Sequence, residues 1–152
     1  MNKYLENVEQ VEKFPAGEYV IGDLCYIIPD EMWGEFLDIV TDGEVVCMNK
    51  NSFVFWDYTN YGDGEFELEN CYDNDILSDM KQSKWGNNLP VDAGLIGIIS
   101  MEFCIENGIK VEDCNIKVLI KHEFVPNSDN GDFDFNGLTI STQEEEEEDF
   151  YI

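Results

Sequence analysis

Three short stretches set an aspartate beside a glycine at the end of an apolar run: Gly22-Asp23, Tyr61-Gly62-Asp63-Gly64 and Val91-Asp92-Ala93-Gly94. Brought together by a fold, Asp23, Asp63 and Asp92 would offer the carboxylate oxygens that Mg²⁺, Mn²⁺ and Ca²⁺ prefer, and a metal held there could activate water. The competing use is turn chemistry, in which the carboxylate accepts nearby backbone N–H groups and glycine supplies positive φ. Asp132, Asp134, Asn136 and Gly137 match positions 1, 3, 5 and 6 of an EF-hand loop, but position 12 is Gln143 and no amphipathic helices flank it. Phe133 and Phe135 alternate with the aspartates, and Asn136-Gly137 is a strong hairpin signal, so this stretch reads as two strands and a tight turn. Nucleophilic chemistry has one candidate pair, Cys25 with the sole imidazole, His122; a small buried thiol is the default reading of Cys25.

The motifs Gly22-Asp23-Leu24-Cys25-Tyr26, Tyr61-Gly62-Asp63-Gly64 and Val91-Asp92-Ala93-Gly94-Leu95-Ile96-Gly97, in this order, resemble those of an uncharacterised family of small bacterial and phage proteins. That family shares GD-x-C-Y, YGDG and VD[SA]G-x-IG motifs. The resemblance spans residues 19–99 and implies a bacterial or phage cytosolic setting; no activity comes with it.

Charge bounds the partners. The 34 acids face only 8 bases, a net charge of −26, and without the six acids Glu144 to Asp149 the remainder is still at −20. All eight bases are lysines, so no guanidinium is available to grip phosphate, and direct nucleic-acid binding is disfavoured. Anionic membrane surfaces are disfavoured for the same reason, and no segment has the apolar length of a membrane span. Five cysteines lack any C-x-x-C pair, and the N-terminus has no signal-peptide pattern, which together indicate a cytoplasmic protein with reduced thiols.

The elements that must position these residues are mostly strands. Residues 19–21 and 25–28 read as two strand pieces broken at Gly22-Asp23, and "PDEMWGEFLDIV" reads as an amphipathic helix with Trp33, Phe36, Leu37 and Val40 on its apolar side. "EVVCM", "SFVFWDY" and "EFEL" predict three consecutive antiparallel strands, while "NDILSDMKQSKWG" reads as weakly helical or as a loop. Leu95 to Ile99 predicts a strand buried on both faces, followed by a short helix capped by Ser100; "NIKVLIKHEFV" predicts a long strand. The expected fold is α+β, mainly antiparallel β-sheet as a sandwich or partly open barrel, with two short helices. One folded domain is expected over residues 1–143, with 1–13 as a lead-in, and 144–152 as a disordered acidic tail.

On this reading the abnormal charge favours a non-catalytic, strongly acidic interaction module rather than an enzyme, with no cofactor. Its partner is a basic protein surface, such as a nucleic-acid-binding host protein that a phage-type inhibitor blocks by imitating phosphates. The tail residues Glu144, Glu145, Glu146, Glu147, Glu148, Asp149, Phe150 and Tyr151 are a candidate interaction segment. The alternative is a divalent-metal module or metal-dependent hydrolase using Asp23, Asp63 and Asp92. A third reading is a small-ligand pocket lined by Trp33, Tyr58 and Tyr61.

Overall fold

The computed structural model describes residues 3–60, 62–69, 77–81, 88–112 and 114–142, with only the backbone of 77–81. Twelve strands form two antiparallel sheets among these residues. The larger contains β1 (Val8–Gln10), β2 (Gly17–Gly22), β3 (Val46–Met48), β4 (Ser52–Tyr58), β6 (Leu77–Lys81), β8 (Leu95–Ser100) and β9 (Ile116–Ile120), in the order β1-β3-β4-β8-β2-β9-β6. The smaller contains β5 (Gly64–Glu69), β7 (Asn88–Val91), β10 (Asn127–Asp129), β11 (Asp132–Phe135) and β12 (Leu138–Ser141), in the order β10-β11-β12-β5-β7. The α-helices are α1 (Lys3–Glu6), α2 (Asp30–Ile39) and α3 (Met101–Glu106). The architecture is thus α+β and mainly antiparallel, as the sequence predicts.

Packing makes three layers. Tyr19, Ile21, Phe55, Ile98 and Val118 of the large sheet meet Leu68, Leu89, Phe133, Phe135 and Ile140 of the small sheet in one buried cluster. The other face of the large sheet, through Val20, Val54, Trp56 and Ile99, packs on Leu24, Met32, Phe36 and Phe103 from the helical layer. The central strand β8 therefore has apolar side chains on both faces, which is why "LIGII" does not alternate. At Gly97 a Cβ would lie 2.6 Å from the Phe55 carbonyl oxygen and 2.7 Å from Leu24 Cδ1, so only glycine lets the helical layer sit this close.

Tight turns set the registers. Asn136 and Gly137 have φ of 60° and 94° and join β11 to β12 with Phe135 opposite Leu138, the hairpin the sequence signals. A second Asn-Gly pair, Asn130 and Gly131, turns β10 into β11 in the same way, and Asn49-Lys50, both with positive φ, joins β3 to β4.

Several expectations are corrected. Residues 24–26 form a 3₁₀ turn rather than a second strand piece, because the Asp23 side chain caps it through the Cys25 amide. Residues 77–81 form a strand on β9, not a helix or loop. β5 does not pair with β4; it crosses into the small sheet between β12 and β7. Ser100 precedes α3 but does not cap it, since its Oγ accepts from the Phe53 amide (2.7 Å) and donates to the Phe53 carbonyl (3.3 Å). Among the described residues there are three α-helices, and α1 and β1 lie within the first thirteen residues. Tyr4 and Leu5 are buried, and the Tyr4 hydroxyl donates to Glu106 Oε1 on α3.

Candidate functional site

The three aspartate-glycine stretches meet at one end of the sandwich. Asp23 follows the last residue of β2 and is completely buried. Its Oδ1 accepts from the Cys25 amide at 2.9 Å, and its Oδ2 accepts from the amides of Asp92 and Ala93, both at 2.7 Å. A buried carboxylate is tolerated when several donors replace its water, and here three backbone N–H groups do so. Asp63 sits on the approach to β5, with Oδ1 3.7 Å from the position a Cβ would take on Gly94, and the Gly94 carbonyl accepts from the Thr59 amide at 3.0 Å. Gly22 is required by crowding, since a Cβ there would run into the buried Asn115 side chain.

This convergence gives Asp23 a fastening role. Both of its oxygens are engaged by backbone amides, whereas Asp63 and Asp92 are exposed. Among the described residues, no three His, Cys, Asp or Glu side chains are grouped to hold a metal ion.

Nucleophilic chemistry is no better served. Burial, and then the charge of Asp23, push the Cys25 thiol up to about 12, leaving little thiolate at neutral pH. Burial and the nearby Asp92 raise Tyr26 to about 12 as well. His122 is not beside Cys25. Strand β9 runs from Ile116 opposite Ile21 to Ile120 opposite Gly17, which carries His122 past the far end of β2.

The aromatic candidates among the described residues each pack on a neighbouring ring. Trp33 is half-buried and stacked on Phe36, and Trp56 is buried with Nε1 donating to the Val40 carbonyl at 2.8 Å. Tyr58 is 56% exposed and meets Trp56 edge-on. Tyr61 and the tail residues Glu144 to Tyr151 lie outside the described residues. A cleft of about 250 Å³ lies elsewhere, between the start of β2, Phe53 and the first turn of α3.

The charged feature that the fold does organise is the outer face of the small sheet. In β5, Glu65, Glu67 and Glu69 are exposed, at intervals of roughly 6.7 Å along the strand. Asp132 and Asp134 of β11 and Asp129 of β10 are exposed too, while Phe133, Phe135 and Leu68 point into the core. The register places Asn127, Asp134, Thr139 and Glu69 side by side across four strands, and Asp129 directly opposite Asp132. Five strands at spacings of roughly 4.8 Å make this face about 19 Å across. None of its strands contains a lysine. Like charges placed directly opposite each other are unfavourable, so nothing in the fold itself rewards Asp129 facing Asp132.

The sequence contains the signal for this face, the alternation of acids with apolar residues in "EFELE" and "DFDF". What it hides is that two stretches so far apart in the chain become strands of one sheet.

Compared with protein families, curated proteins and solved structures, the chain matches none. By fold and site the described residues make a two-sheet α+β protein with one helical layer and a small sheet whose outer face exposes carboxylates. No helix among the described residues is long and apolar enough to cross a membrane.

Proposed function

We propose that the protein is a non-catalytic interaction module whose working surface is the acidic outer face of the small sheet, and whose partner is a basic, nucleic-acid-binding protein. The supporting observation is the exposure of six carboxylates, Glu65, Glu67, Glu69, Asp129, Asp132 and Asp134, on strands without a single base. A phosphate backbone likewise presents closely repeated fixed negative charges, and a site evolved to neutralise those phosphates is complementary to this face. The resemblance to small bacterial and phage proteins favours a bacterial or phage setting, in which such a module would inhibit a nucleic-acid-binding host protein.

The matched-charge comparison tests this reading. Replacing Glu65, Glu67 and Glu69 by Gln, or Glu31, Glu35 and Asp38 on α2 by their amides, changes the net charge from −26 to −23 in either case. In pull-downs from bacterial lysate at low and moderate salt, the wild type and the helix variant retain the same basic proteins at low salt. The sheet variant loses them. Equal retention by both variants would leave net charge alone as the cause and defeat the proposal.

A further inference from the structure

The cleft beside α3 combines apolar and acidic groups in a way the sheet face does not. Its lining includes Phe53 and Met101, both half-buried, and Ile105, which is 67% exposed and one of the few large apolar side chains left in solvent. Glu18 and Glu102 also line it, and no lysine does. Neither carboxylate is ion-paired with a base among the described residues.

Next to them the oxygens of Glu106 are already engaged, Oε1 by the Tyr4 hydroxyl and Oε2 by Asn51 Nδ2. Glu18 and Glu102 are the acidic residues that line the cleft, with Glu102 also in hydrogen-bond contact with Glu106. A volume of about 250 Å³ is below the range of roughly 300–1,000 Å³ that holds drug-sized ligands, and suits one side chain.

We infer that this cleft is a socket for a single basic side chain of the protein partner, arginine in preference to lysine. The aliphatic stem lies against Met101 and Ile105, and the cationic head between Glu18 and Glu102. Arginine fits better because its stem can cover apolar side chains and its planar fork pairs with carboxylates bidentately, whereas an ammonium is a point charge. The inference rests on the proposal that the partner is basic, and adds a point of specificity that a flat charged face lacks.

The test is an amide-resolved NMR titration of the full chain with the capped peptide Gly-Gly-Arg-Gly-Gly, and with the same peptide carrying neutral citrulline in place of arginine. The arginine peptide is expected to give saturable shifts at the amides of Glu18, Phe53 and Met101. Citrulline should weaken binding at least tenfold, as should the double substitution Glu18→Gln, Glu102→Gln, whose surface positions leave the folded spectrum intact. Shifts confined to Glu65–Glu69 and Asp132–Asp134 would overturn the socket while leaving the acidic-face reading standing. Equal binding of the citrulline peptide, or no shift at the cleft, would also overturn it. Tighter saturable binding of free spermidine would reassign the cleft to a small organic cation.

Discussion

Replacing Asp23 by alanine removes the acceptor of three backbone amides in one step. Hydrogen bonds to a charged group contribute about 1.5–3 kcal/mol each, which sets an upper range near 4.5–9 kcal/mol for the Cys25, Asp92 and Ala93 amides together. Asp92 and Ala93 lie at an exposed turn, so their amides regain water in part, and the buried carboxylate's own desolvation cost disappears. A net loss of about 3–5 kcal/mol follows, a large share of the 5–15 kcal/mol typical of a folded domain. Urea unfolding measures it: with a slope near 2 kcal/mol/M, the midpoint drops by about 2 M and the slope itself is unchanged. Asp23→Asn should lie between, losing about 2 kcal/mol, because its amide group keeps one acceptor and turns a donor toward another donor. Hydrogen exchange at the Cys25, Asp92 and Ala93 amides should accelerate in both variants. A loss below 1 kcal/mol for Asp23→Ala would refute the idea that this carboxylate fastens the Gly22-Asp23 turn to the Asp92-Ala93 turn.

Gly97→Ala should destabilise by about 1–3 kcal/mol in the same assay, because its Cβ meets a backbone carbonyl that cannot swing aside. Site-resolved alkylation at pH 8.5 should find Cys25 about a thousandfold slower than a free thiol, as expected for a thiol raised to about 12. The same shift gives a pH dependence. The folded thiol holds its proton more tightly than the unfolded one, so its contribution is fully present below about pH 8.5 and is lost progressively as pH rises toward 12, which alkaline unfolding midpoints should record. Gly137→Ala should cost about 1 kcal/mol in urea unfolding, since φ of 94° strains any residue with a Cβ.

How much of this could be read in the chain depends on whether the cause is local. The Asn136-Gly137 hairpin, the doubly buried run at Leu95–Ile99 and the helix that buries Phe36 were legible because turn chemistry and periodicity act over a few residues. Residues 77–81 gave no such signal: Ser78, Asp79 and Lys81 carry no strand pattern, and pairing with β9 makes them a strand. The turn at Leu24–Tyr26 leaves no pattern in the sequence because its cause is one buried carboxylate that also ties down a loop about 70 residues further along the chain. The aspartate-glycine stretches come near one another in the fold, but their spacing cannot distinguish carboxylates aimed at a cation from one carboxylate aimed at backbone amides. The acidic face was half legible: each alternating strand was visible, their adjacency was not.

The most direct measurement is the salt dependence of binding to a retained basic partner, compared between the wild type and the Glu65→Gln, Glu67→Gln, Glu69→Gln variant. Exposed charge pairs contribute about 0.2–1 kcal/mol each, so losing three should weaken low-salt affinity roughly 3- to 150-fold and flatten the salt dependence. The helix variant with Glu31, Glu35 and Asp38 neutralised should bind as the wild type does. Loss of affinity in the helix variant equal to that in the sheet variant, or none in either, would contradict the assignment of function to the outer face of the small sheet.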